Sequence, residues 1–120
     1  MALSRDALTV STSQIEAGDM WVAEVNGVVG GVVSLSATDD PSAIDLDKMF
    51  VDPAHMRAGV GRVLMEFAIA EARRRGFKKL KILADPNAAP FYERMGAAYL
   101  REEASDAIPG RLLPLFELKL

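Results

Sequence analysis

The chain has 120 residues, half of them apolar and 26% charged, with a formal net charge of −3 and no cysteine. That length suits one domain with a buried core, so residues 1–120 are expected to fold as a single unit. The same numbers exclude a disordered chain, a disulfide framework, a thiolate metal site and a cysteine nucleophile, and they offer nucleic acid no electrostatic footprint.

No apolar run reaches the ~18–20 residues of a bilayer span, and Met1–Asp6 lacks the basic patch and apolar stretch of a signal peptide. A cytoplasmic protein without a membrane partner is therefore expected. Residues 3–17 are weakly amphipathic, and Ser11-Thr12-Ser13 reads as the cap of a short helix through Gln14–Ala17. Trp21–Val25 and Val28–Leu35 read as strands around Asn26-Gly27, a dipeptide that accepts the positive φ of a type I′ hairpin turn. Ile44–Val51 reads as a third strand, stopped at Asp52-Pro53 because proline has no ladder donor.

Gly59 and Gly61 open a long helix to about Arg75, with Val60, Val63, Leu64, Phe67, Ala68 and Ala72 on one arc. Arg73-Arg74-Arg75 suit the negative end of its dipole, and Gly76 is placed for a left-handed cap. Lys79–Ala84 then reads as a strand, Ala88–Met95 as a short helix, and Ala98–Glu102 and Leu112–Lys119 as closing strands. The order implies a mixed sheet, antiparallel early, in which the long helix crosses between a parallel pair.

Glycines at a strand-to-helix turn allow close backbone approach to an anion, and the helix N-terminus points unpaired N–H groups at it. A pyrophosphate is the natural occupant, with Arg57 or Arg62 adding charge-assisted bonds. The blander alternative is a tight turn. No Gly-Lys-Ser/Thr is present for a nucleoside-triphosphate loop, and no third glycine for a dinucleotide fingerprint.

The stretch Leu46–Pro53 followed by Met56-Arg57-Ala58-Gly59-Val60-Gly61-Arg62 resembles motif A of the GNAT superfamily, Arg/Gln-x-x-Gly-x-Gly/Ala. Downstream, Asp85–Ala97, with Asn87, Phe91-Tyr92 and Gly96, resembles that superfamily's motif B. The resemblance runs from about Trp21 to the C-terminus. It implies an α/β (α+β) fold with a mixed, mostly antiparallel sheet and a central splayed parallel strand pair. Only about twenty residues precede Trp21, so part of the family's N-terminal strand and helix unit is expected to be lacking.

The resemblance also implies roles. Backbone N–H groups of Arg57, Ala58, Gly59, Val60, Gly61 and Arg62 would cradle the CoA pyrophosphate. Met49, Phe50 and Val51 would splay from Lys79–Ala84 and pair with the pantetheine, one N–H serving as oxyanion donor. Asn87 would bond near the pantetheine arm with Phe91 beside it, and Tyr92 would protonate the departing thiolate. Tyrosine at this spacing is otherwise a half-buried core residue. For the base, Asp45 and Asp47 share one strand face with Met49 by period two, and some relatives carry a carboxylate there. The alternative is that both merely solvate the strand start. His55 is expected at the surface, as is Arg111. Met56 stands where the motif has Gln or Arg, which puts side-chain help to the phosphate in doubt.

The implied activity is transfer of an acetyl group from acetyl-CoA, without a metal, to a primary amine, small molecule or peptide. Direct attack in a ternary complex is expected, since no cysteine can host a thioester intermediate. A short N-terminus leaves the acceptor site open, or completed by a second subunit in a homodimer, or inactive. Two alternatives stand beside the enzyme: a CoA-binding regulatory module without turnover, and an interaction subunit pairing through the sheet edge left by a missing first strand.

Overall fold

The computed structural model describes residues 8–15, 18–105 and 108–120, with residues 8–15, 18–19 and 56–58 described as backbone alone. In chain order come β1 (Leu8–Ile15), β2 (Gly18–Val25), β3 (Val28–Ala37), β4 (Ala43–Val51), a 3-10 helix (Pro53–Ala58) and α1 (Val60–Arg74). Then follow β5 (Lys79–Leu83), α2 (Ala89–Arg94), β6 (Ala98–Ala104) and β7 (Leu112–Lys119). The described strands form one seven-stranded sheet in the order β1-β2-β3-β4-β5-β7-β6, parallel between β4 and β5 and antiparallel elsewhere.

Asn26 and Gly27 turn the β2–β3 hairpin with φ of 53° and 82°, the paired positive values of a type I′ turn. Helix α1 buries Val60, Leu64, Met65, Ala68 and Ala72 against the sheet face carrying Trp21, Ala23, Val33 and Leu35. Burying each large side chain of this set contributes roughly 1.5–3 kcal/mol. The Trp21 and Phe67 rings meet at 5.2 Å between centroids, tilted by 59°, and the Arg75 guanidinium lies 5.5 Å over the indole. The helix ends where Gly76 takes φ of 87°; its N–H bonds the Arg73 carbonyl while the Phe77 N–H bonds that of Ala72. Gly31 lies under the helix. A Cβ there would stand 2.8 Å from Leu64 Cδ1 and 2.9 Å from Val60 Cγ1, so only glycine lets β3 and α1 approach this closely.

Three expectations are corrected. Residues 8–15 form a strand paired along its length with β2, so the helix expected through Gln14–Ala17 is absent where described. Glu16 and Ala17 lie outside the described residues. The β2 edge expected to be bare is therefore occupied by β1, which removes the ground for pairing a partner there.

The third correction concerns β4. Its register against β3 passes from Ser34↔Lys48 to Leu35↔Leu46, so Asp47 is the extra residue of a β-bulge. Leu46 and Met49 thus lie on the α1 face beside Leu35 and Val33, whereas Asp45, Lys48 and Phe50 lie on the opposite face. The strict alternation that joined Asp45, Asp47 and Met49 on one face fails because the bulge resets it.

Candidate active site

Strands β4 and β5 pair only at Ala43↔Lys79, Ile44↔Leu80 and Asp45↔Lys81, after which β4 runs six residues further without β5 beside it. The parallel pair therefore opens into a V. The Asp52 N–H donates to the Gly30 carbonyl at 2.8 Å on the β3 side. Backbone N–H groups alternate along a strand, and no register shift intervenes between residues 49 and 51. The N–H groups of Val51 and Met49 hence point into the V, where no strand receives them.

A cleft of about 710 Å³ occupies this opening. Its walls include Met49, Phe50 and Val51 from β4, Gly59, Gly61 and Arg62 at the start of α1, and Asn87, Phe91 and Tyr92 from the α2 segment. Each wall has a local cause. Asp52 stops β4 and caps the 3-10 helix, accepting from the Ala54 N–H at 2.9 Å. Gly59 then takes φ of 81°, a left-handed conformation that costs a side-chain-bearing residue about 1–2 kcal/mol. Because no side chain caps α1, the N–H groups of Val60, Gly61 and Arg62 face outward unpaired, with the positive end of the dipole behind them. Gly61 sits so close to the wall that a Cβ would be 3.4 Å from Val51 Cγ2 and 3.6 Å from the Phe91 ring.

The Asn87 N–H donates to Asp85 Oδ1 at 2.8 Å, which shapes the turn into α2 and leaves the Asn87 side chain exposed at the cleft. Phe91 packs edge to face on Tyr92 at 5.3 Å. Tyr92 is 7% exposed, and burial pushes its phenol above the ordinary tyrosine value, so it stays protonated at neutral pH. Arg62 is exposed and pairs with Glu66 at 3.4 Å.

Asp45 stands at the vertex, on the last rung before the strands part, and is partly buried. Burial pushes its carboxyl above the usual range; Lys81 opposes the rise, and Asp47 and Glu103 add to it. Asp47 is exposed in the bulge. Neither aspartate lines the cleft itself. Arg57 and Ala58 belong to the 3-10 helix, and their side chains lie outside the described ones. His55 is partly buried, its ring 3.4 Å from where a Gly30 Cβ would stand and away from the cleft.

Sequence reasoning passed over Asp85 and Ala88, both in the cleft wall. Asp85 pairs with Arg111 at 3.5 Å, tying the loop before β7 to the turn before α2. The Asp85-Pro86-Asn87 turn was visible as a turn; that its aspartate also reaches Arg111, 26 residues on, had no local signal. Among the described residues no group of three or more His, Cys, Asp or Glu side chains is gathered to hold a metal ion. No described helix is long and apolar enough to cross a membrane.

A family model described as an acetyltransferase (GNAT) domain matches residues 16–96. Among solved structures, an IAA acetyltransferase from Bacillus cereus ATCC 14579 superposes with a TM-score of 0.79 at 18% identity, over 94% of this chain and 99% of that one. A GNAT family acetyltransferase from Elizabethkingia anophelis with acetyl-CoA bound gives 0.78 at 15% identity, over 96% and 99% of the two chains. A GNAT family acetyltransferase from Staphylococcus aureus Mu50 gives 0.71 at 20% identity, over 85% and 67%. None of the curated proteins compared matches the sequence.

Proposed function

The chain belongs to the GNAT acetyltransferase family, and on that premise we propose that it transfers an acetyl group from acetyl-CoA to a primary amine by direct attack in a ternary complex. The observation that carries this reading is the V beyond the Asp45↔Lys81 rung, where the Met49 and Val51 N–H groups face a cleft that runs to the glycine-opened start of α1. A pantetheine arm laid in the V takes the place of the absent strand. Its pyrophosphate meets the free N–H groups of α1, where an anion is stabilised. The Met49 N–H is the donor suited to the thioester oxygen as it gains charge, a contribution on the order of 3 kcal/mol in comparable sites. The Elizabethkingia structure, which has acetyl-CoA bound, supports the same occupant here.

Both helices pack into one core with the α1 face of the sheet, so the amine approaches from the other face. Asp45 is on that face. Its carboxylate first takes a proton from the acceptor's ammonium group, which frees the nitrogen lone pair. The neutral amine then attacks the carbonyl carbon, the C–N bond forms and the C–S bond breaks. The Tyr92 hydroxyl protonates the departing sulfur, and the remaining surplus proton on the nitrogen returns to the Tyr92 oxygen. Asp45 is preferred to Asp47 because partial burial raises its proton affinity, and positioned bases contribute typically 10²–10⁴-fold.

Thermal unfolding with and without acetyl-CoA, followed by an amine screen for thiol release, tests the reading. Stabilisation together with amine-dependent thiol release is expected. Stabilisation without release would leave a CoA-binding module, and no stabilisation at millimolar ligand would remove the cradle altogether.

A further inference from the structure

The face that receives the amine carries more acid than base close to Asp45. Asp47 stands two residues along β4 in the bulge. Glu117 of β7 pairs with Lys81, and Glu103 of β6 lies on the same face, two strands from β5. Each added carboxylate nearby favours the protonated, inert form of a base. Against them stand few cations. Arg101 is held by Glu103 at 3.4 Å. Lys79 and Lys119 stand two rungs before, Lys79 sharing with Lys81 a field that acts on Asp40, and Lys48 is exposed beyond the bulge. Neighbouring β3 offers only Ser36 opposite Asp45.

Lys81 differs from all of these in position. It is the direct partner of Asp45 in the parallel register, on the last rung before the V. Ile44 and Leu80, one residue earlier on each strand, are both buried under α1, so Asp45 and Lys81 both emerge on the open face. Lys81 is itself partly buried, and the field of a charge there is screened less than that of one on an open surface.

We propose that Lys81 is a positioning residue for the transfer reaction: from the rung opposite Asp45, its ammonium holds that carboxylate ionised and ready to take the acceptor's proton. The proposal rests on the reading of Asp45 as the base. Lys81 touches neither the thioester nor the amine; it acts through Asp45 alone. Without its charge, burial and the carboxylates of Asp47 and Glu103 go unopposed, and the Asp45 carboxylate takes up a proton at higher pH.

The test is an NMR titration of the side-chain carboxyls in the full chain, with Asp45→Asn identifying the Asp45 resonance. It compares the native protein with Lys81→Met, which keeps the apolar stem, and Lys81→Arg, which keeps the charge. The Asp45 midpoint is expected to move up in Lys81→Met and to stay near its native value in Lys81→Arg. The acid limb of thiol release, measured with any amine the screen yields, is expected to move with it while the high-pH plateau holds. An unchanged midpoint in Lys81→Met overturns the proposal at Lys81, whatever the base. Native turnover in Asp45→Asn overturns it at Asp45 instead, so the two failures are told apart.

Discussion

Gly61→Leu separates the cleft's role in binding from its role in folding. The site is in the first turn of α1, where leucine is favoured over glycine by up to about 1 kcal/mol of helix propensity. The new Cβ would stand 3.4 Å from Val51 Cγ2 and 3.6 Å from Phe91, ordinary contact distances, so the backbone need not move. The remaining three carbons must then go into the cleft, between the unpaired N–H groups of α1 and the splayed end of β4. Ligand at ~100 times its dissociation constant adds about 2.7 kcal/mol to the native protein, a rise of about 10 °C for a domain of this size. In Gly61→Leu the unliganded midpoint is expected at or a few degrees above native, whereas the acetyl-CoA response falls to near zero. Gly61→Ala, whose methyl stops at the wall, should keep the response. Scanning fluorimetry across a ligand series reads all three proteins. A full ligand response in a well-folded Gly61→Leu would show that acetyl-CoA does not pass this wall, and the pyrophosphate cradle would have to be sought elsewhere.

Tyr92→Phe keeps the ring against Phe91 and removes only the hydroxyl, so turnover should drop by about 10²–10⁴-fold with the unfolding midpoint little changed; thiol release beside a melting curve checks both. Gly31→Ala forces a methyl to 2.8 Å from both Leu64 Cδ1 and the Phe50 carbonyl, an overpacking of about 1–3 kcal/mol that urea denaturation will report as lost stability. Glu71 is bonded by Arg74 and Arg75 and held at about 2, below its ordinary value of 4.5. Its folded-state pKa is depressed, so its stabilisation is complete above the unfolded value and is lost as pH falls toward about 2. Across that window, the native protein should lose stability more steeply than Glu71→Gln in matched denaturation curves.

What could be read from the sequence was whatever rests on short-range chemistry. Asn26-Gly27 announces its turn because few other pairs tolerate two positive φ values, and Gly76 announces the end of α1 for the same reason. The apolar arc from Val60 to Ala72 announces the helix. β1 was missed because Ser11, Thr12 and Ser13 serve as helix caps or as strand residues equally well; alternation of Leu8 and Val10 with Thr9 and Ser11 was the available strand signal. The bulge at Asp47 had none, since a bulge is a property of two strands in register. Its consequence reached the site, because the face on which Asp45 emerges depends on where β4 resets its alternation. Lys81 was hidden for the same reason: 36 residues separate it from Asp45, and only the parallel register brings the two together.

The candidate site is built from places where the sheet does not continue. A seven-stranded sheet gains stability by pairing every rung, yet β4 and β5 stop after three. The strands on either side continue to pair: β4 keeps β3 to Val51, and β5 keeps β7 to Leu83. The opening is thus held from both flanks and does not depend on a mobile loop. The bulge strengthens local twist in β4 just past the last rung, which turns the strand away from β5 and gives the V a structural cause. The N–H groups of Met49 and Val51 stay in contact with solvent in the cleft, so leaving them without a strand costs little until a ligand arrives. Deleting Asp47 would remove the extra residue and restore the alternation, and the expected result in scanning fluorimetry is a protein that still unfolds cooperatively but has lost its acetyl-CoA response.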